Sequence, residues 1–298
     1  MNAMLEHRMA LLAQCPLPPP DLPDAEAAKR PIHVTEWGNT GPTVLIVHGG
    51  VQGGLGGGPD IFLQQQSLAT GGWRLRLPAR PEFGKSPSRG IDDMTADSVW
   101  IADMLGDGAH LIGHSWGGAG ALLAAARRPG AVRSLILIEP AMQPLLMGSS
   151  EIASSPAVRD DAMRVAGALM AARSPGEYAL AFMSGLGAAS AESTARATAL
   201  RTNPQLAAEI GCALLQARMA SPDAMRHAAE TVAQAKIPVL VVTGGWSPSF
   251  DAIGAIAARL PLGRHVVVPA PDHFVQQSNA GEFNKIAGSF MCQAQDRP

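Results

Sequence analysis

The chain has 298 residues, of which 47% are hydrophobic and 16% are charged, so it can bury a large core and is not a disordered chain. The formal net charge is −2, from 23 basic and 25 acidic residues, and like charges form no long run. The basic patch of a protein that binds nucleic acid or an anionic membrane is therefore missing, and we expect a small-molecule partner.

Cysteine usage and hydropathy bear on the compartment. Cys15, Cys212 and Cys292 are far apart and odd in number, so we expect buried or incidental thiols rather than a disulfide framework or a metal knuckle. No apolar stretch approaches the roughly 18 residues of a membrane span, and the apolar patch near the start is too short for a signal-peptide core. We expect a cytoplasmic protein without a membrane span. The spacing of potential ligands indicates no metal site, and no organic cofactor is implied.

The first 30 residues predict an arm that lies on the main body. A short helix is expected around Met4 to Gln14, and the prolines from Pro16 to Pro23 favour an extended path after it. From Ile32 onward, short β-branched runs that end in Gly or Pro alternate with helical stretches, which indicates βαβ units and a mainly parallel sheet. The predicted strands are Ile32 to Glu36, Val44 to His48, Arg74 to Leu77, Ala109 to Gly113, Ser134 to Glu139, Pro238 to Thr243 and His265 to Val268.

Apolar residues at helical spacing predict the elements between these strands. About residues 141 to 235 contain no convincing strand, and their content of Ala, Met and Leu predicts three to five helices inserted between two strands. The predicted organisation is an arm at 1–30, an α/β core formed by 31–140 and 236–298, and a helical cap at 141–235. Helices of the core are predicted at Asp60 to Ala69, Asp93 to Leu105, Gly117 to Arg128, Asp251 to Leu260 and Gly281 to Phe290.

Residues 109–118 carry the strongest functional signal, an apolar strand that enters the motif G-x-S-x-G and an Ala-rich helix that leaves it. Such a turn holds Ser115 in a strained backbone conformation and exposes its hydroxyl above the sheet edge, as a nucleophile requires. Gly113 and Gly117 are needed because side chains there would collide with the neighbouring chain. The turn also directs the first helical amides at the reaction centre, so the N–H of Trp116 is a candidate oxyanion donor.

From about Ile32 to Phe290, apart from the inserted helices, the chain resembles the α/β-hydrolase superfamily. The resemblance implies an α/β fold with an eight-stranded, mostly parallel sheet flanked by helices. It also implies a Ser–acid–His triad in that chain order and a helical cap after the sixth strand. Serine at the elbow distinguishes the chain from the superfamily's haloalkane dehalogenases and epoxide hydrolases, which use aspartate there.

The apolar run Val44 to Val47 ends in His48 and a glycine-rich loop. In the superfamily an HG-x turn at this place supplies the second oxyanion N–H, which by position belongs to Gly50 or Val51. His48 itself is expected to brace the loop by hydrogen bonding. A phosphate-binding loop is a weak rival, since neither GK[ST] nor G-x-G-x-x-G fits, and a merely flexible lid is the other alternative.

The segment from Leu77 to Ser86 resembles the superfamily loop usually written D-x-R-G-x-G-x-S. Pro81 and Glu82 occupy its Arg-Gly part. A structural loop is the favoured interpretation, and a place in the pocket for Arg80 or Glu82 is the alternative.

Among the eight histidines, His273 lies in a loop after the last predicted strand, where a general base is expected in this fold. It follows the apolar run Val266 to Val268 within the sequence PAPDHF. His114 is too close in sequence to Ser115 to act as its base. His273 is therefore the predicted base.

The acid departs from the common superfamily pattern, because Ser247 stands where an aspartate usually follows the seventh strand. Some serine hydrolases of the superfamily carry the acid at the end of the sixth strand, and this chain has Glu139 there. A carboxylate at the end of an apolar strand is costly unless it is hydrogen-bonded, so Glu139 is predicted to accept the N–H of His273. Asp251 is the alternative acid if the WSPSF loop folds over, and Asp272 is poorly placed beside the base. A helix cap or salt bridge is the structural alternative for Glu139.

These residues predict a serine hydrolase that cleaves a carboxylic ester of a small, moderately apolar substrate through an acyl-enzyme. Acyl transfer, hydrolysis of an amide, thioester or C–C bond by the same triad, and a non-catalytic ligand-binding protein are the alternatives. The sequence leaves the natural substrate and the oligomeric state open.

Overall fold

Seven strands, β1 to β7, form the central sheet in the part of the chain that the structure describes. The computed structural model describes residues 2–20, 22, 24–27, 29–52, 58–187 and 189–295. All seven predicted strands are present, although the resemblance implied eight. The residues ahead of the first strand are rich in proline, which lacks the N–H that a further ladder requires. The strands are β1 Val34–Trp37, β2 Thr43–Val47, β3 Arg74–Pro78, β4 Ala109–His114, β5 Val132–Ile138, β6 Val239–Thr243 and β7 Gly263–Val267.

The strand order is β1-β3-β2-β4-β5-β6-β7, and only β1 runs antiparallel to its neighbour. Strands β4 and β6 are buried along their whole length, which explains their near-continuous apolar sequences. Because parallel strands end at one edge of the sheet, the loops after β2, β4, β5, β6 and β7 meet there.

Helices cover both faces of this sheet. Trp100, Ile101 and Leu122 pack on one face, and Phe283 and Phe290 pack on the other. A 3₁₀ turn at Pro59–Gln65 precedes α3, and another lies at Pro129–Ala131. The helices outside the insertion are α1 Asn2–Leu12, α2 Asp24–Ala27, α3 Gln66–Thr70, α4 Met94–Met104, α5 Trp116–Arg127, α13 Pro248–Ala257, α14 Val275–Ser278 and α15 Ala280–Gln295.

Seven helices lie between β5 and β6 among the described residues, more than the three to five predicted. Several begin at a Ser–Pro or Asn–Pro pair, in which the first residue caps the helix and proline fills the first helical position. This signal divides the Ala-rich sequence into shorter helices than its apolar pattern suggests. The seven are α6 Gln143–Leu146, α7 Ser150–Ser154, α8 Pro156–Ala171, α9 Pro175–Gly185, α10 Ala191–Thr202, α11 Pro204–Gln216 and α12 Pro222–Gln234.

The last inserted helix, α12, packs beneath the sheet rather than over its edge. Its Met225 and Val232 are fully buried in the same cluster as Leu122 of α5. Residues of α8, α9 and α11 instead line the space above Ser115, at the carboxyl edge of the sheet.

The N-terminal helix α1 packs on α11. The expectation for the cysteines is wrong, because Cys15 and Cys212 form a disulfide and only Cys292 is a free, exposed thiol. A separation of 197 residues gives no local signal of such a bond. Contact between the arm and α11 brings the two sulfur atoms together.

None of the helices in the described ranges combines the length and the apolar character needed to cross a bilayer.

Candidate active site

The sharp turn between β4 and α5 holds Ser115. Its backbone angles are φ 54° and ψ −119°, a region that residues other than glycine rarely adopt. A Cβ on Gly113 would lie 2.7 Å from the Cα of Gly118, and one on Gly117 would collide with the carbonyl oxygens of Val47 and His48. The predicted need for glycine at both places is confirmed.

His273 lies in the loop after β7, and its side chain is buried. The ring packs against Phe250 at a centroid distance of 4.9 Å. Its Nδ1 lies 3.2 Å from Oε2 of Glu139, and its Nε2 has no hydrogen-bond partner among the described atoms. Ser115 and His273 line the same cavity. The structure thus places Glu139 beside the imidazole of His273, and it places Ser115 on the cavity that His273 also lines.

Glu139 follows β5 and is fully buried, with φ 44°. Its Oε1 accepts hydrogen bonds from the backbone N–H of Gly244 at 2.6 Å and from Nε1 of Trp246 at 3.3 Å. Both donors come from the turn after β6, where the superfamily usually carries its acid. The carboxylate thus meets the condition set for it from sequence, since a buried carboxylate is stable only when hydrogen-bonded.

The other carboxylates considered as the acid lie in different hydrogen-bond networks. Asp251 accepts from Oγ1 of Thr243 and from the N–H of Gly245. Ser247, at the usual acid position, donates to Asp161 of α8 at 2.6 Å. The WSPSF segment begins α13 and places the Phe250 ring, rather than the Asp251 carboxylate, against His273.

Burial shifts the pKa values of both members of the His273–Glu139 pair. Loss of water lowers the pKa of His273 to about 3, and the nearby Asp272 carboxylate opposes this shift. The imidazole is consequently neutral over a wide pH range, as a base requires. Burial also raises the pKa of Glu139 well above its ordinary value, against the effect of the Gly244 N–H. A more basic carboxylate is a stronger acceptor for the Nδ1–H of His273.

The candidate oxyanion donors lie beside Ser115. Trp116 is the first residue of α5, so its N–H has no acceptor within the helix. The Gly49 carbonyl lies 2.8 Å from Nδ1 of His48, and the Gly50 carbonyl accepts from Arg80 at 2.7 Å. In a planar trans peptide the N–H points away from the carbonyl. Because these two carbonyls point toward His48 and Arg80, the N–H groups of Gly50 and Val51 point away from those two side chains.

His48 braces this loop, as predicted. Its Nε2 accepts from the backbone N–H of Arg80 at 2.9 Å, which makes Nδ1 the donor to Gly49. Gly50 and Val51 both line the cavity with Ser115. The later part of the loop, residues 53–57, lies outside the described residues, so the phosphate-loop and lid interpretations of that part stay untested.

Arg80 is fully buried and links the two sides of the candidate oxyanion site. Its guanidinium forms ion pairs with Asp92 at 2.5 Å and Asp97 at 2.9 Å. Asp97 also accepts from Nε1 of Trp116 at 2.9 Å, and Asp92 accepts from the N–H of Gln52 at 2.7 Å. The structural interpretation of the segment Leu77 to Ser86 is confirmed. Neither acidic partner of the arginine was anticipated from sequence.

Asp272, the neighbour of the histidine, fastens the histidine loop to the inserted helices. It accepts from the N–H of Ser190 at 2.9 Å and from Oγ of Ser193 at 2.5 Å. The N–H of His273 donates to the Leu186 carbonyl at 3.1 Å. The histidine is thus held jointly by the core and the insertion. The position of Asp272 next to the predicted base was the only sequence signal for Asp272.

Ser115, His273 and the candidate oxyanion donors line one cavity of about 940 Å³, which extends beneath the inserted helices. Most of its lining is apolar, and methionines from several helices contribute to it. Within the described residues, no three His, Cys, Asp or Glu side chains are grouped so that they could hold a metal ion.

A family model described as the alpha/beta hydrolase family matches residues 44–286. The chain therefore belongs to the α/β-hydrolase family. The matched range includes β2, the serine elbow, the inserted helices and the histidine loop.

Curated relatives match a smaller part of the chain. A 2-hydroxy-6-oxo-6-phenylhexa-2,4-dienoate hydrolase of Burkholderia cepacia is 36% identical over 115 residues, which is 37% of this chain and 40% of that protein. A 2-hydroxy-6-oxononadienedioate/2-hydroxy-6-oxononatrienedioate hydrolase of Comamonas testosteroni has the same identity and coverage. The match thus spans about two fifths of the length of these relatives.

Solved structures extend the likeness in fold over most of the chain. A thermophilic esterase from Thermogutta terrifontis is 22% identical with a TM-score of 0.57, covering 88% of this chain and 93% of its own. A 2-hydroxy-6-oxo-6-phenylhexa-2,4-dienoate hydrolase from Rhodococcus is 14% identical with a TM-score of 0.64, covering 89% and 96%. At these identities the likeness concerns the fold. The comparisons establish that the chain is a hydrolase of this family, and they leave its substrate open.

Proposed function

We propose that the protein is a serine hydrolase that cleaves a carboxylic ester of a moderately apolar small-molecule substrate, through an acyl-enzyme. The observation that carries this proposal is the arrangement of Ser115 and His273 on one cavity, with Glu139 hydrogen-bonded to the far side of the imidazole. A serine on a strained elbow and an oriented, neutral histidine are the parts that acyl transfer to water requires.

In the proposed reaction, Nε2 of His273 takes the proton of the Ser115 hydroxyl while its oxygen attacks the ester carbonyl. Glu139 holds the Nδ1–H and stabilises the imidazolium that forms. The N–H of Trp116, with that of Gly50 or Val51, donates to the oxyanion, and each such donor is worth roughly 10²–10³ in rate. The imidazolium then protonates the leaving alcohol, and a water activated by the same ring hydrolyses the acyl-enzyme.

C–C bond hydrolysis is the second candidate, because the dienoate hydrolases are the relatives with the higher local identity. The same triad would serve it, but a dienoate also carries a carboxylate, which requires a cation elsewhere in the cavity, at the end of the substrate away from the reacting carbonyl. The cationic side chains that line the cavity, Arg8 and Arg218, lie on α1 and beyond the end of α11. Both are engaged with protein groups, Arg8 with the carbonyls of Leu215 and Ala217 and Arg218 with the Asp93 carboxylate, which favours an uncharged ester over a dienoate.

A substrate panel separates these possibilities. Nitrophenyl esters, matched thioesters and anilides, and 2-hydroxy-6-oxo-6-phenylhexa-2,4-dienoate are supplied to the purified protein, and kcat/KM is measured for each. We expect the esters to have the highest kcat/KM. A higher value for the dienoate than for every ester would replace ester cleavage by C–C cleavage. Turnover only after an acceptor alcohol is added would indicate acyl transfer.

Replacing Asp272 by asparagine is expected to lower kcat by roughly 10-fold to 100-fold without removing the triad, because misplacement by about 1 Å costs on that order. The asparagine retains an oxygen for Ser190 but loses the charge that Ser193 and the backbone N–H of Phe274 stabilise. Turnover of nitrophenyl acetate and the pH dependence of kcat are measured against Asp160→Asn, a change on α8. Equal kcat values in the two variants would contradict a positioning role for Asp272.

A further inference from the structure

The N-terminal helix α1 contributes to the cavity that contains the candidate triad. Met4, His7 and Arg8 line it together with Leu214 of α11 and Tyr178 of α9. The volume of about 940 Å³ lies near the upper end of the roughly 300–1,000 Å³ of small-molecule sites. A short acyl group would occupy only a part of this space, so a longer one can reach the helix.

Polar contacts fix α1 to the helices beside the cavity. The Arg8 guanidinium donates to the carbonyls of Leu215, at 2.6 Å, and Ala217, at 3.4 Å. These carbonyls end α11, where the helix dipole also favours a cation. The ring of His7 lies 3.2 Å from the Leu169 carbonyl of α8. The charged and polar heads on α1 are thus engaged with protein carbonyls, and the wall offers apolar stems to a ligand.

A covalent bond fixes the end of the same segment. Cys15, just after α1, is joined to Cys212 in α11, a helix whose Ile210 and Leu214 line the cavity. Nε2 of Gln216 donates to the Pro16 carbonyl at 2.7 Å, next to the disulfide. One wall of the cavity therefore depends on a segment that the disulfide ties in place across 197 residues of sequence.

We propose that α1 is the wall of the cavity that selects the acyl group. The acyl group is a medium-length or bulky apolar chain whose far end packs on α1, and the Cys15–Cys212 bond holds this wall in place against α11. The proposal rests on the proposed ester hydrolysis. Because each further methylene that becomes buried strengthens binding roughly fourfold, opening the wall would penalise long acyl chains far more than short ones.

The test compares nitrophenyl octanoate with nitrophenyl acetate. The ratio of kcat/KM for the octanoate to kcat/KM for the acetate is measured in the oxidised protein and after treatment with dithiothreitol. The dithiol gives two electrons to the bond, so that Cys15 and Cys212 become thiols and the reagent becomes a cyclic disulfide. Alkylation and mass measurement verify the reduction. We expect the ratio to fall about 10-fold or more, the loss of roughly two buried methylenes.

Two variants separate the bond from the exposed thiol. Cys15→Ser/Cys212→Ser is expected to show the low ratio without reductant and no response to it. Cys292→Ser is expected to keep the ratio and the response of the natural chain. Circular dichroism checks that the double variant folds. If the double variant does not fold, the same ratio is measured for Met4→Asp, which keeps the disulfide and places a charge on the wall. A low ratio in that variant would support the wall, and an unchanged ratio would refute it.

The outcomes distinguish this inference from the proposed function. Ester turnover with a ratio that reduction leaves unchanged would refute the wall and leave ester hydrolysis intact. If no ester is turned over, ester hydrolysis fails, and the wall is judged by titration with the apolar fluorophore N-phenyl-1-naphthylamine. Binding about 10-fold weaker after reduction would then support the wall, and equal binding would refute it.

Discussion

Replacing Ser115 by alanine is expected to lower kcat for a nitrophenyl ester by about 10⁴-fold to 10⁶-fold, the scale on which loss of a nucleophile acts. The oxygen that would form the acyl-enzyme is removed, while the oxyanion donors and the cavity stay in place. The same change should abolish labelling by an organophosphonate, which reacts covalently with an activated serine. Active-site titration and mass measurement of the labelled peptide check both expectations.

The control for this prediction is Ser289→Ala, since Ser289 lies exposed on α15. It should keep full turnover and labelling at Ser115. Ser115→Cys adds a second check, because a thiol at the elbow should react with an alkylating agent, and peptide mass measurement separates this label from the label on the exposed Cys292. Undiminished hydrolysis by Ser115→Ala, with native circular dichroism, would contradict the role of this serine.

The sheet could be predicted from sequence because buried parallel strands appear as short β-branched runs. Val239–Thr243 and Ala109–His114 are buried at every position, so their pattern is unambiguous. The inserted helices were undercounted because their boundaries depend on capping pairs such as Ser174–Pro175 rather than on apolar spacing. The Cys15–Cys212 bond could not be predicted, since it depends on how α1 packs against α11.

The candidate site shows the same difference between residues that sequence motifs predict and contacts that depend on the tertiary fold. Ser115 and His273 belong to local motifs with a strand on one side, and Glu139 stood out because an apolar strand ended in a carboxylate. Local sequence, together with the family resemblance, therefore sufficed to nominate these three. The ion pairs of Arg80 join residues from separate loops, and only the tertiary fold brings such charges together.

Replacing Glu139 by glutamine is expected to lower kcat by roughly 10²-fold to 10⁴-fold with little change in KM, as loss of the charged partner does in other triads. The amide has nearly the same shape and can still accept from the N–H of Gly244. What it lacks is the negative charge that stabilises the imidazolium of His273. Asp251→Asn is the matched control, because Asp251 contacts Thr243 and the N–H of Gly245, and it should keep kcat within a few-fold.

The pH profile gives this prediction a second readout. His273 must be neutral to accept the serine proton, so activity is lost as pH falls through its pKa. Burial lowers that pKa to about 3, so the acid limb of kcat/KM should lie below pH 6.5, the ordinary histidine value. In Glu139→Gln the limb should move further toward acid, because the imidazolium loses a carboxylate at 3.2 Å. A large loss in Asp251→Asn with a nearly active Glu139→Gln would instead give the acid's role to Asp251.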